Sequence, residues 1–294
     1  MEMNQLRYMV AAARTGNFTR AAEQCRVSQP SLSQQIQKLE EELGERLFDR
    51  LKRQSKLTPH GEAFLPRAVR ILEEAEMAVR EASDARSLLS GTLTIGILPT
   101  IAPYVLPKTL GEFARKYPGV KIVVEEDTTP RLLQHLATYG IDFAIASDPI
   151  QDPRFEVREL FAEELMLALP PGHPLARKRT VPASALKGER LIVMREGHCL
   201  GDQVLGFCEH RDVQPTISFR SAQLETIQAL VAAGLGLSLV PAMAAHRRRP
   251  NVVEYRSIQP SRPQRKILAV WPKQRPLARA ASAFLQLMSA RFGG

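Results

Sequence analysis

The chain has little cysteine: three residues in 294. That excludes a small disulfide-stapled scaffold. It has no run near the roughly 18 apolar residues that a membrane span needs. Its opening, MEMNQLRYMVAAARTGNF, lacks the charged-then-apolar pattern of a secretion signal. A cytoplasmic protein with no membrane partner is therefore expected. In that reducing compartment a permanent disulfide is disfavoured, and paired cysteines point to catalysis, metal binding or redox sensing. Internal repeats and low-complexity tracts are also missing. With 44% hydrophobic and 24% charged residues, the composition is that of an ordinary globular protein. The length predicts about two domains.

Acidic residues are nearly absent from one region. Residues 244–294 hold 11 Lys and Arg against a single Glu, a net +10, whereas the whole chain carries +9. Residues 1–58 carry only +3, from 10 basic and 7 acidic side chains. Total charge is thus a weak argument for nucleic acid, and local pattern must decide.

That pattern lies near the N-terminus. NQLRYMVAAAR reads as a helix ending near Gly16, and RAAEQC as a short helix with Thr19 as its N-cap. Ser28 caps a third helix, with Pro30 in its first turn, where proline is tolerated. Leu32, Ile36, Leu39 and Leu43 form one buried stripe. Gln29, Ser31, Ser33, Gln34, Gln37 and Lys38 fall on the other face. Two short helices in this arrangement predict a helix-turn-helix, whose Gln and Ser side chains can bond base edges and phosphates. Arg46, Arg50, Lys52, Arg53 and Lys56 follow as a basic wing. A small helical domain with a solvated charged face is the rival reading.

The string FTRAAEQCRVSQPSLSQQIQKLEEELGERLFDR, followed by LTPHGE, closely resembles the winged helix-turn-helix of LysR-type transcriptional regulators. The resemblance implies double-stranded promoter DNA as a partner, with RNA polymerase beyond it. It assigns Gln29, Pro30, Ser31, Ser33 and Gln34 to the DNA groove and Arg50 and Arg53 to the wing. The DNA-binding domain is placed at 1–58 and a linker helix at 59–90. In that helix, Phe64, Ala68, Ile71, Ala75, Ala78, Ala82, Ala85 and Leu89 alternate steps of four and three, the seam of a coiled-coil homodimer. A lone amphipathic helix packed on its own domain is the alternative. In this family dimers commonly pair into homotetramers.

From Gly91 strands and helices alternate, which predicts a mostly parallel α/β architecture. The same resemblance implies a regulatory domain over 91–294, made of two subdomains like a periplasmic binding protein. One is placed at 91–162 plus 268–294 and the other at 163–267. Thr100 and Thr129 fall where strands lead into helices, the usual place for ligands in open α/β sheets. Both can equally be ordinary caps.

Two of the three cysteines bracket GHCLGDQVLGFC, residues 197–208. A helix starting near Cys199 would give its thiol unpaired N–H groups and the positive end of a dipole, which favour the thiolate. His198 and Asp202 are close in sequence. On one continuous helix the two cysteines would be about 13 Å apart, whereas a disulfide needs Cα atoms within about 7 Å. Bonding them would unwind the segment, and Gly201 and Gly206 lower the cost of doing so. His198, Cys199, Cys208 and His210 could instead hold a metal, but their spacing departs from common zinc patterns. Incidental cysteines remain the third possibility.

The twelve residues resemble the redox-active segment of the OxyR-type, peroxide-sensing branch of the LysR family. That resemblance implies Cys199 as the thiol that meets hydrogen peroxide and Cys208 as its resolving partner. It implies Thr100, Thr129, His198, Asp202 and Arg265 as the groups that bind peroxide or support the thiolate. It further implies a glutaredoxin- or thioredoxin-type reductant, no cofactor, no resident metal, and a sensor rather than an enzyme. Cys25 reads as packing. A LysR-type regulator answering a small organic effector held between the two subdomains is the other reading.

Overall fold

The computed structural model describes residues 1–49, 56–84, 91–245, 253–260 and 262–292. Arg50, Arg53, Ala85 and Leu89 lie outside the described residues. The chain forms two compact units, Met1–Leu88 and Leu89–Gly294.

The first unit contains α1 (Met3–Thr15), α2 (Phe18–Cys25), α3 (Gln29–Leu43), β1 (Phe48–Asp49), β2 (Lys56–Leu57) and α4 (Pro59–Asp84). Asn17, not Thr19, caps α2: its side chain accepts from Thr19 N at 2.8 Å and Arg20 N at 3.1 Å. Ser28 caps α3 by accepting from Ser31 N. Leu32, Ile36 and Leu39 are buried, whereas Leu43, expected in the same stripe, is 37% exposed. The stripe ends one turn early because α3 stops at Gly44, in the left-handed conformation. The carboxylate of buried Glu40 accepts from Leu47 N at 2.8 Å and Phe48 N at 3.1 Å, fixing the entry to the wing. Strands β1 and β2 pair antiparallel.

Helix α4 departs from the pure seam. Ala68 is fully buried in the core of this unit, and Phe64 packs against the same core. A partner helix cannot meet Ala68, because its own domain already covers it. Ile71 is 38% exposed and Ala75 half-buried. The side chains of Ala78 and Ala82 lie outside the description.

The second unit runs β3 (Gly91–Ile97), α5 (Ala102–Lys116), β4 (Val120–Glu126), α6 (Thr129–Ala137), β5 (Phe143–Ser147), β6 (Phe155–Leu169), β7 (Thr180–Pro182), β8 (Arg190–Met194), α7 (Cys199–Glu209), β9 (Thr216–Ser221), α8 (Leu224–Ala232), β10 (Ser238–Pro241), α9 (Ala242–Ala245), β11 (Glu254–Gln259), β12 (Gln264–Pro272) and α10 (Arg279–Phe292). Strand order in the main sheet is β4-β3-β5-β12-β6-β11-β7, with β10 also on β6. The expectation of a mostly parallel sheet needs correction. Strands β3, β4 and β5 are parallel, but β12 is antiparallel to β5 and β6, and β10 and β11 are antiparallel to β6. The long strand β6 and its partner β12 carry the chain across in opposite directions, which forces the mixture.

Two hydrophobic cores result. The first gathers β3, β5 and β12 with α5, α6 and α10, and includes Phe113, Phe143 and Phe284. The second gathers the end of β6 with β8, β10, α7 and α8, and includes Leu167, Ile192, Val204 and Ile227. Strand β6 belongs to both, with Phe155 and Leu160 in one and Leu165, Leu167, Ala168 and Leu169 in the other.

Candidate functional site

The site is built around the start of α7. Strand β8 ends at Met194, the chain turns through Gly197 at φ +84°, and His198 occupies the N-cap position without a side-chain capping bond. Gly201 lets the helix lie close to β8: a Cβ there would fall 2.7 Å from the Met194 carbonyl oxygen. Cys199 opens the helix and packs against the first core, although its strand β8 belongs to the second. Cys208, near the other end, is 1% exposed inside the second core. The two thiols, both free, are thus held in different cores by one helix.

Arg265 of β12 is the largest fully buried side chain among the described residues. Its Nη1 donates to Thr100 Oγ1 at 3.0 Å and its Nη2 to the Thr100 carbonyl at 3.1 Å. Its Nε donates to Glu163 Oε1 at 2.8 Å, closing an ion pair with a carboxylate that is itself 7% exposed. Glu163 Oε2 accepts from Met243 N of α9 at 3.0 Å. Thr100 lies in the turn before α5, and Thr129 is the first residue of α6, with Thr128 in the cap position.

The expectation that the helix start would favour the Cys199 thiolate is corrected by the surroundings. Burial among apolar side chains pushes the thiol up and is the largest effect. The Arg265 cation, the Thr129 hydroxyl and the Leu200 N–H pull it back down, and Asp202 adds to the rise. Desolvation is the larger influence here. Cys208 is also pushed up by burial and then by Glu209. The resting site therefore favours two protonated thiols.

His198 is buried, and its imidazole is held below the ordinary histidine range, first by burial and second by the Arg195 cation, against the pull of Asp127. It is neutral at pH 7. Asp202 is exposed. One residue that the sequence analysis did not single out belongs here. Gln203 lies four positions after Cys199, on the same helix face. Its Nε2 donates to Ser147 Oγ at 2.9 Å and to the Asp148 carbonyl at 2.6 Å, tying α7 to the end of β5. Nothing in the spacing of α7 hints at this reach to the end of β5.

Among the described residues, four buried side-chain polar atoms have no hydrogen-bond partner: Thr129 Oγ1, His198 Nε2, Gln203 Oε1 and Glu164 Oε1. The first three belong to residues around Cys199. The Thr129 hydroxyl lies near enough to influence the sulfur without forming a proper bond to the protonated thiol. Buried groups left unpaired are costly; Thr129 acts on the Cys199 sulfur, and His198 and Gln203 stand one position before and four positions after it, so a small molecule offering both donors and acceptors could satisfy them. No group of three His, Cys, Asp or Glu side chains that could hold a metal occurs among the described residues.

The two helix glycines differ. Gly206 has nothing within 4 Å of the position a Cβ would take. Gly206→Ala is expected to stabilise the helical form of α7 by about 0.5–1 kcal/mol. A Cys199–Cys208 disulfide would then have a reduction potential higher by roughly 10–20 mV, measurable by equilibration against glutathione.

On the first unit, Gln29, Pro30, Ser31 and Gln34 are exposed along the start of α3, and Ser33 is half-buried. Residues 3–62 match the model of the bacterial regulatory helix-turn-helix protein, lysR family. Residues 86–293 match the LysR substrate binding domain. The chain is 36% identical over 296 residues to the DNA-binding transcriptional dual regulator OxyR of Escherichia coli, covering all of this chain and 97% of the relative. A full-length OxyR variant from Pseudomonas aeruginosa superposes with a TM-score of 0.82 at 34% identity, covering 98% of this chain and 94% of that one. A cysteine mutant of Corynebacterium glutamicum OxyR with H2O2 bound gives a TM-score of 0.67 at 33% identity, covering 98% and 92%.

Proposed function

We propose, for a chain that belongs to the LysR family of bacterial DNA-binding transcriptional regulators, that Cys199 is the peroxide-reactive thiol of a switch whose disulfide with Cys208 alters promoter contact. The observation that carries this reading is a buried cysteine acted on by the buried Arg265 cation and the Thr129 hydroxyl, with unpaired buried polar atoms on Thr129, His198 and Gln203. Hydrogen peroxide offers two O–H donors and several lone pairs, and is small enough for a buried spot. The H2O2-bound relative supports the same choice of ligand.

The chemistry runs in two balanced steps. The Cys199 sulfur, deprotonated, attacks one peroxide oxygen. The O–O bond breaks, hydroxide leaves and takes up a proton as water, and Cys199 becomes a sulfenic acid. The Cys208 sulfur then attacks the Cys199 sulfur, the S–O bond breaks, and a second water leaves. The two thiols lose two electrons in total and peroxide gains them. Arg265 and Thr129 favour the attacking thiolate, while Thr100, His198, Gln203 and Asp202 border the reaction. The thiols sit in different cores, so the second step requires α7 to unwind.

That rearrangement shifts the homodimer or homotetramer, which repositions the exposed Gln29, Pro30, Ser31 and Gln34 and the half-buried Ser33, with Arg50 and Arg53, on promoter DNA and changes contact with RNA polymerase. The exposed part of the α4 seam contributes to pairing. A dithiol reductant of the glutaredoxin or thioredoxin class takes the disulfide back to two thiols and is itself oxidised. One peroxide is spent per switching event, so the protein acts as a sensor rather than an enzyme.

Promoter footprints test this. Brief peroxide is expected to change the footprint of the unmodified chain and to leave those of Cys199→Ser and Cys208→Ser unchanged. A peroxide-dependent change retained in Cys199→Ser contradicts the proposal.

A further inference from the structure

Arg265 has more than one task at the site, and the residue that divides its loyalty is Glu163. The two are cross-strand neighbours, Arg265 on β12 opposite Glu163 on β6. A guanidinium carries five N–H donors. Nε and Nη2 both meet Glu163 Oε1 at 2.8 Å, Nη2 also meets the Thr100 carbonyl, and Nη1 meets Thr100 Oγ1. One N–H of Nη1 is left. Because Thr100 Oγ1 accepts from Arg265, its own O–H is free to point elsewhere as a donor. Glu163 in turn is held from its other oxygen by Met243 N. The carboxylate is thus pinned between β12 and the start of α9, and it fixes both the direction of the fork and the charge that the fork presents.

We propose that Glu163 is a positioning residue of the Cys199 site: it holds Arg265 on Thr100 and balances its charge, so that the thiol remains slow to react in the absence of a bound oxidant. The proposal rests on the reading of Cys199 as the reactive thiol. The charges acting on Cys199 are Arg265 and, opposing it, Asp202. Neighbouring His198 faces Arg195 and Asp127, and Glu164, next along β6, lies 4.0 Å from Arg262. Among these, Glu163 alone shares Arg265 directly. A fully buried cation without its counter-charge acts more strongly on a nearby sulfur. Burial of Cys199, the largest influence on its thiol, is left in place when Glu163 changes.

The test is the pH profile of Cys199 alkylation by iodoacetamide in the full reduced chain, with labelling located by mass spectrometry. Glu163→Gln keeps an acceptor for Arg265 and removes the charge. It is expected to move the profile to lower pH and to raise the rate at pH 7 by roughly threefold to tenfold. Glu163→Asp, which restores the charge, is expected to bring the profile back toward that of the unmodified chain. A purely structural role predicts slower or unchanged labelling in Glu163→Gln with the profile in place, and that result overturns the proposal. Where Glu163→Gln prevents folding, Arg265→Gln is compared with the doubly neutral Arg265→Gln/Glu163→Gln chain. Because Glu163 acts through Arg265, adding Glu163→Gln to a chain that already lacks this cation is expected to leave the profile in place, and a move of the profile to lower pH overturns the proposal. Alkylation involves neither peroxide nor DNA, so a failed peroxide response leaves this test intact, and the reverse also holds.

Discussion

Arg265→Gln is expected to cost about 3–5 kcal/mol of folding stability, which makes it among the most damaging single changes in the regulatory unit. The reason is the uneven fate of a buried pair. Arg265 is completely buried and Glu163 nearly so, so removing the cation strands a carboxylate out of reach of water. Thr100 loses two donors at the same time. A surface pair such as Lys266 with Glu159, both about half exposed, is worth little by comparison. The same substitution removes the main cation acting on Cys199, so thiol labelling near neutral pH is expected to slow. Urea unfolding of the full chain measures the first effect. An unchanged midpoint for the regulatory unit contradicts this account of the pair.

Gly201→Ala is the second change with a large expected effect, about 1–3 kcal/mol of destabilisation from overpacking. The added methyl would fall 2.7 Å from a backbone oxygen of β8, and a backbone atom cannot swing aside as a side-chain tip can. Either α7 lifts off β8 or the strand shifts within the second core. In both cases Cys208, 1% exposed in the intact fold, becomes easier to reach. The expected result is a lower melting temperature together with faster alkylation of Cys208 in the reduced protein. Faster labelling in Gly206→Ala, where the methyl meets open space, runs against the prediction for that position.

The contrast between these glycines shows where reading the sequence reaches its limit. Spacing alone made both look like devices for unwinding. Only the packing of α7 separates them, Gly201 as a close-contact position and Gly206 as a helix weak point. Local patterns were legible. The spacing of four and three among Leu32, Ile36 and Leu39, the Ser28 cap and the strand texture after Gly91 all depend on neighbours in sequence. What depends on distant partners was not. The mixed sheet follows from β6 and β12 crossing in opposite directions, and the burial of Ala68 follows from how α4 meets its own domain. In the candidate site, the helix start at Cys199 was readable, but the burial that opposes its thiolate cannot be judged from the segment itself. The Gln203 reach to Ser147 and Asp148 spans 55 or more residues of sequence, and the Glu163 grip on Arg265 spans 102. Neither leaves a local signature.

The central claim is that Cys199 and Cys208 bond to each other at the expense of α7. Mass-spectrometric mapping of the reduced full chain after a brief, near-stoichiometric dose of hydrogen peroxide tests it most directly. The account predicts a peptide pair linked through Cys199 and Cys208, with Cys25 still free, restored to thiols by a dithiol reductant. A promoter footprint that responds to peroxide while both thiols stay unlinked would contradict it.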